Sequence, residues 1–190
     1  MARPRLFLSH SSKDCALTEG TAAELRKPGP GAHEGFEVLV DADALRAGEE
    51  WPYQLHSMMA FAQAGLLLFT PAAMSRPDWV RNEAYILTWR RSLDPSFKVF
   101  YALLDGVTCD DLTAKGFDPA HLRLIQSLKT TSSTAVDAIV AEVKAGVPSV
   151  NSAPTPFEDL VTKLAQHFNA LGDAQLTNLA AKLDAPPARW

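Results

Sequence analysis

The chain has 190 residues, of which 47% are hydrophobic and 21% charged, a composition typical of a globular protein. Its formal net charge of −4 excludes the strongly basic surface that attracts nucleic acid. Cys15 and Cys109 cannot supply a secreted-type disulfide framework, and the sequence contains neither a signal peptide nor an apolar run long enough to span a membrane. We therefore predict a cytoplasmic protein with no nucleic-acid or membrane partner.

Short apolar runs alternate with helical patterns along the first 147 residues. Most of these runs are continuously apolar, which is typical of parallel strands that are covered on both faces. The sequence predicts strands at residues 5–9, 36–40, 65–70, 97–104 and 127–130. Strands that alternate with single helices form βαβ units, so we predict a doubly wound α/β domain over residues 1–147.

Four helices are predicted among these strands. Two of them begin at sequences that resemble capping boxes, Ser11-x-x-Asp14 and Ser75-x-x-Asp78, and end near residues 26 and 91. The other two, at about residues 49–64 and 135–145, are indicated by apolar residues at helical spacing, and the earlier one carries Pro52 in its first turn.

The C-terminal part of the chain differs in composition from the predicted α/β domain. Residues 148–156 contain three prolines and several small polar residues, which predicts a linker. Residues 157–190 carry two amphipathic stripes, which predict a short helical hairpin. Because about 35 residues cannot sustain a core alone, this hairpin must dock on the α/β domain, pair with another copy or belong to a longer helical module.

Ligands of open parallel sheets bind at the carboxyl ends of the strands. Three predicted loops lie there, at residues 9–14, 41–51 and 71–79. The first loop leads into a helix N-terminus, which favours phosphate, although a simple strand-to-helix turn is the plainer interpretation. The sequence has no dinucleotide glycine fingerprint and no Walker loop, and its five histidines lack the spacing of metal ligands. We therefore predict no metal.

Three motifs resemble those of the Toll/interleukin-1 receptor (TIR) domain family. Residues 7–14, Phe-Leu-Ser-His-Ser-Ser-Lys-Asp, resemble its first box. Residues 41–51, Asp-Ala-Asp-Ala-Leu-Arg-Ala-Gly-Glu-Glu-Trp, resemble its BB loop. The pattern Ser75-x-x-x-Trp79-Val80-x-x-Glu83 resembles a third signature, which occurs in the enzymes of the family. The resemblance covers about residues 4–147 and implies a flavodoxin-like, five-stranded parallel sheet with helices on both faces.

The resemblance to catalytic TIR domains implies cleavage of the bond between nicotinamide and ribose in NAD+, which is the substrate, with no further cofactor. The leaving nitrogen is already a pyridinium cation, so nicotinamide departs without protonation and one carboxylate suffices where glycosidases use two. That carboxylate stabilises the oxocarbenium-like charge on the sugar. Glu83 matches the catalytic glutamate of the family, and Trp79 precedes it by four residues, on the same helical face. Linear ADP-ribose and a cyclic isomer both remain open as products.

The resemblance also implies a set of substrate-binding residues around Glu83. The set comprises Ser11, Ser12, Lys13, Asp41, Leu45, Arg46, Trp51 and Trp79. Two departures from the family pattern affect it. Glu50 stands where some NADases of the family have an aromatic residue, and Trp51 follows one position later. Ser11 and Ser12 stand where certain members carry arginines, which leaves phosphate contacts to backbone N–H groups and Lys13.

Without the resemblance, Glu83 is more simply a solvated helix residue that pairs with Arg76 or Arg90, and Trp79 a core aromatic. With it, we expect activation by self-association through the BB loop and a role in bacterial defence or signalling. The hairpin at residues 157–190 faintly resembles the start of the effector-associated modules beside bacterial TIR domains, which suggests a protein partner. Two other functions stay open: a non-catalytic TIR adaptor that acts by homotypic binding, and an unrelated flavodoxin-like regulator that binds a nucleotide or phosphate.

Overall fold

The computed structural model describes residues 3–29, 34–40, 51–117 and 126–147, without the side chains of residues 51–54, 57, 126 and 127. The chain divides into two units, Met1–Ala153 and Pro154–Trp190, and every described residue belongs to the first unit. The predicted linker at residues 148–156 and the predicted hairpin at residues 157–190 lie outside the described residues.

Five described strands form one parallel sheet. They are β1 (Arg5–Ser9), β2 (Glu37–Val40), β3 (Ala64–Phe69), β4 (Lys98–Leu104) and β5 (Gln126–Thr130). The strand order is β2-β1-β3-β4-β5, and every neighbouring pair is parallel. The predicted α/β, flavodoxin-like sheet is thereby confirmed. The chain runs from β1 outward to β2 and then back past β1 to β3, so the topological switch point lies between β1 and β3.

Six helices accompany the sheet in the described part of the chain. They are α1 (Cys15–Arg26), α2 (Trp51–Phe61), α3 (Pro71–Ser75), α4 (Asp78–Leu93), α5 (Cys109–Ala114) and α6 (Ala135–Gly146). The sequence predicted α1, α2, α4 and α6 but not the two short helices. None of these six has the length and apolar character that crossing a membrane requires.

Neither predicted capping box forms. Asp14 occupies the N-cap position of α1, but its side chain makes no capping hydrogen bond. The Ser11 hydroxyl accepts instead from the Lys13 N–H at 3.3 Å. Ser75 belongs to the end of α3, where its hydroxyl donates to a carbonyl of that helix, and the N-cap of α4 is Pro77. Both serines are engaged within their own turns and therefore do not cap the helices that follow.

Two apolar layers cover the two faces of the sheet. Successive strand residues point to opposite faces, so Phe7 belongs to one layer and its neighbours Leu6 and Leu8 to the other. The layer on the side of helices α2, α3 and α4, called the α2–α4 layer, takes from them Leu55, Met59, Ala73, Met74, Val80, Ala84 and Leu87, and it also includes Leu112 of α5. The α1–α6 layer takes from its helices Ala22, Leu25, Ala135, Ile139 and Val143. Helices therefore pack on both faces, as the sequence predicts.

Helix α4 lies close against the sheet because β3 carries a glycine beneath it. A Cβ atom at Gly65 would lie 2.9 Å from Cδ1 of Leu87, which is closer than packed carbon atoms approach. Near the C-terminal end of α4, the buried guanidinium of Arg90 donates to the Met59 carbonyl and lies 4.3 Å from the centre of the Phe97 ring. These contacts fix the position of the helix that carries Glu83.

Candidate functional site

Two loops meet at the switch point. Thr70, which directly follows β3, donates a hydrogen bond of 2.6 Å to Oδ2 of Asp14, at the start of α1. The same hydroxyl accepts from the Ala73 N–H at 3.0 Å and so caps α3. One side chain therefore joins the β1–α1 loop to the β3–α3 connection, at the edge of the sheet where parallel α/β proteins bind ligands.

Three of the predicted substrate-binding residues, Ser11, Ser12 and Lys13, lie in the β1–α1 loop. Ser11 is half-buried, whereas Ser12 and Lys13 are exposed. The backbone N–H groups of Lys13 and Asp14 already donate to the hydroxyl and the carbonyl of Ser11, at 3.3 and 2.8 Å. An anion at this loop would therefore meet the Ser12 hydroxyl and the Lys13 ammonium group rather than those two N–H groups.

Glu83 lies on the buried face of α4, with only 5% of its surface exposed. Val80, Ala84 and Leu87 share that face and belong to the α2–α4 layer. The interpretation of Glu83 as a solvated surface residue is therefore wrong. A buried carboxylate is costly unless it is hydrogen-bonded or paired, and departures from the apolar pattern of a core are expected at functional or strained sites.

Trp79 lies one helical turn before Glu83 and is 52% exposed. The interpretation of Trp79 as a core aromatic is therefore wrong as well. An indole with about half of its surface accessible presents an apolar face on which a planar ring can stack. Helix α4 thus brings an accessible aromatic side chain and a buried acid together within one turn.

Four of the predicted substrate-binding residues cannot be placed in this site. Asp41, Leu45 and Arg46 lie outside the described residues. Trp51 is described only as the first residue of α2, without its side chain. Their contacts with a substrate stay predictions.

Two side chains that flank Glu83 anchor α4 to the segment after α5. Nη1 of Arg81 donates to the Lys115 carbonyl at 3.0 Å, and the Tyr85 hydroxyl donates to the Gly116 carbonyl. These bonds hold the helical turn that carries Glu83. Sequence reasoning missed them because the partners are separated by 34 and 31 residues and no local pattern marks such pairs.

A cavity of about 390 Å³ opens beyond the carboxyl ends of β3 and β4, one strand away from the switch point. Asp105 and Asp111 line it, and both are already engaged. Hydrogen bonds from the side chain and backbone of Ser132 lower the pKa of Asp105, and those from Thr108 lower the pKa of Asp111. The Thr108 and Asp111 contacts form a true capping box for α5, which the Thr-x-x-Asp pattern would have revealed.

The fold and the site together define an α/β protein with a flavodoxin-like strand order and a buried acid on α4, the second helix after the switch-point strand β3. The described residues contain no group of three histidine, cysteine, aspartate or glutamate side chains that could hold a metal ion. No protein-family model matches the chain, and no curated protein matches it.

Proposed function

We propose that the protein is a TIR-type NAD+ glycohydrolase. The observation that carries the proposal is Glu83, a carboxylate buried to more than nine-tenths on α4, the second helix after the switch-point strand β3. The resemblance of residues 7–14, 41–51 and 75–83 to three TIR motifs supports it. The strand order also agrees with the fold that this resemblance implies.

In the proposed reaction, the bond between the anomeric carbon and the pyridinium nitrogen breaks, and nicotinamide leaves as a neutral molecule with the bonding electron pair. Glu83 stabilises the positive charge that develops on the ribose, and its low-dielectric surroundings strengthen that interaction. Water adds to the anomeric carbon, the water's proton passes to a base or to solvent, and ADP-ribose results. An internal acceptor in place of water gives a cyclic isomer. The exposed ring of Trp79 stacks on a base of the dinucleotide.

The first experiment incubates the purified full chain with NAD+ and separates the products by chromatography. Glu83→Gln keeps the shape of the side chain and removes its charge, so we expect activity to fall by about 100-fold or more. Glu142→Gln, on α6 at the opposite face of the sheet, is the matched control and should retain activity. A Glu83→Gln protein as active as wild type would refute the proposal.

Self-association and a role in bacterial defence or signalling belong to the same proposal. If assembly activates the enzyme, specific activity rises with protein concentration, because assembly favours the competent state. We would measure the initial rate per molecule over a dilution series while following particle size by light scattering. An unchanged specific activity from monomer to assembly would contradict this part of the proposal.

The second candidate function, a non-catalytic TIR adaptor that binds a second copy of itself, is favoured by an exposed stripe on α4. Tyr85, Trp89 and Leu93 follow one another at intervals of four residues and are 40%, 61% and 62% exposed. The stripe is uncharged, so two copies can meet there without like-charge repulsion. A Glu83→Gln protein with normal signalling, together with a Trp89→Ala protein that neither signals nor self-associates, would favour the adaptor over the enzyme.

A further inference from the structure

Ser9, the last residue of β1, carries a buried hydroxyl that no described residue engages. Only 2% of the residue is exposed, and its Oγ atom has no hydrogen-bond partner in the described part of the chain. Nearly all buried polar groups in folded proteins are hydrogen-bonded, and leaving one unsatisfied is unfavourable. An exception in the central region of a sheet therefore needs a reason.

The position of Ser9 in the sheet supplies that reason. Side chains alternate along β1, so Ser9 points to the same face as Phe7 and into the α2–α4 layer. Its register partner is Leu67 of β3, which places it on the seam between the two strands of the switch point. The helix face that carries Glu83 covers this same layer. The hydroxyl thus lies at the carboxyl end of β1, beside the switch point at which α/β proteins bind ligands.

The loop above Ser9 leads outward to solvent. His10 and Ser11 are half-buried, and Ser12 and Lys13 are exposed. A ligand whose charged group contacts Ser12 and Lys13, at the exposed end of this loop, therefore reaches Ser9 with a different group, one that lies deeper in the protein.

The surroundings of Ser9 define the chemistry of the group that it contacts. Phe7 and Leu67, its neighbours along and across the sheet, are apolar and fully buried. A phosphate in such surroundings would lose its hydration without a matching cation, whereas an uncharged hydroxyl needs only one good partner. A serine hydroxyl both donates and accepts, and a sugar hydroxyl does the same.

We propose that Ser9 is a substrate-binding residue whose hydroxyl bonds a hydroxyl of the ribose next to the scissile bond. This inference rests on the proposed function, since NAD+ hydrolysis names the sugar. Ser9 holds the ribose from the sheet side, and Glu83 faces it from α4.

Ser9→Ala tests the inference by separating binding from stability. Loss of one neutral hydrogen bond to the substrate should raise KM for NAD+ by about tenfold and leave kcat nearly unchanged. The midpoint of urea denaturation should stay the same or rise, because the variant removes an unsatisfied buried hydroxyl. A merely structural role predicts the reverse, with lower stability and unchanged KM. Ser9→Cys, which keeps the shape and donates only weakly, should raise KM in the same direction.

Thr21→Val is the matched control. Thr21 is fully buried on α1, and its Oγ1 atom also has no hydrogen-bond partner within the described ranges. The variant removes an equivalent hydroxyl away from the switch point, so it should match Ser9→Ala in stability and match wild type in KM. A KM raised equally by both variants would overturn the assignment.

An NAD+ analogue that lacks one hydroxyl of the nicotinamide ribose completes the test. Wild type should lose about tenfold in kcat/KM with the analogue that lacks the contacted hydroxyl, and Ser9→Ala should lose nothing further. If wild type hydrolyses NAD+ but Ser9→Ala has an unchanged KM, the inference about Ser9 fails and the proposed function stands. If wild type is inactive and Glu83→Gln does not bind NAD+, both fail.

Discussion

The two faces of the sheet bury different kinds of polar group. In the α1–α6 layer, the buried polar side chains on α1 are the neutral hydroxyls of Thr18 and Thr21. On the other face, α4 buries the charged side chains of Glu83 and Arg90, which are 5% exposed each. Buried charge costs far more free energy than a buried hydroxyl, and one helix carries both charges that the described residues bury. The α2–α4 face therefore buries charged groups on α4, where a site is expected, and the α1–α6 face buries neutral hydroxyls on α1.

The largest difference between the faces should appear when their basic residues are truncated. Arg90→Ala leaves the Met59 carbonyl without its donor and removes the contact with Phe97, so we expect a loss of about 3 kcal/mol. On the opposite face, Lys144 donates to the Glu24 and Lys27 carbonyls from a half-buried position, and Lys144→Ala should cost about 1 kcal/mol. Urea denaturation measures both, and equal losses would contradict the comparison.

The buried phenol of Tyr101, in the α2–α4 layer, should make that face sensitive to alkali. Burial raises the pKa of Tyr101 from 10.0 to about 12, so the fold favours the neutral phenol. Its contribution is complete below pH 10 and is lost as the pH rises through 12, about 3 kcal/mol in all. Tyr101→Phe keeps the ring and cannot ionise. Above pH 10, the free energy of unfolding should therefore fall more steeply for wild type, and parallel curves would argue against the effect.

A methyl group added to a glycine should have opposite effects on the two faces. Gly65→Ala forces a carbon atom to within 2.9 Å of the buried Leu87 side chain, so we expect a loss of about 2 kcal/mol. Gly20→Ala, within α1, meets only ordinary contact with Val136 at 3.7 Å, and should gain about 0.5–1 kcal/mol from helix propensity. Thermal denaturation of the two variants beside wild type checks the signs, and losses in both would refute the distinction.

The smallest expected effect concerns Thr70, at the edge where the β1–α1 loop meets the β3–α3 connection. Thr70→Val removes both the cap of α3 and the hydrogen bond to Asp14, which should cost about 1 kcal/mol. Thr108→Val removes the equivalent cap of α5 without touching the switch point. The two variants should therefore lose similar stability, while only Thr70→Val changes amide exchange in the β1–α1 loop. If amide exchange in the β1–α1 loop were identical in both variants, the hydrogen bond from Thr70 would have no effect on that loop.

The apolar runs predicted the sheet well because a strand covered on both faces needs continuous burial. All six residues of β3 are buried, as its sequence indicates. The helices α3 and α5 were missed because they are too short for periodicity and begin at the caps Thr70 and Thr108. The two capping-box predictions were wrong for a different reason. The sequence pattern was present, but the hydroxyls of Ser11 and Ser75 form hydrogen bonds within their own turns.

The candidate site was less accessible to sequence reasoning than the fold. Helical spacing puts Glu83 near Val80, Ala84 and Leu87, but its depth depends on how closely α4 approaches β3. The bond between Asp14 and Thr70 joins residues 56 positions apart, which no local pattern reveals. Burial of the Ser9 hydroxyl without a hydrogen-bond partner among the described residues likewise becomes visible only in the folded structure.

The double engagement of Thr70 links two βα units mechanically. Its hydroxyl donates to the Asp14 carboxylate and accepts from the Ala73 N–H. A displacement of the β1–α1 loop therefore strains the cap of α3, and a displacement of α3 strains the bond to Asp14. A molecule that binds the loop after β1 would consequently also restrain the first turn of α3, two βα units further along the chain. Occupancy of the first loop should therefore be visible as slower deuterium uptake at Ala73.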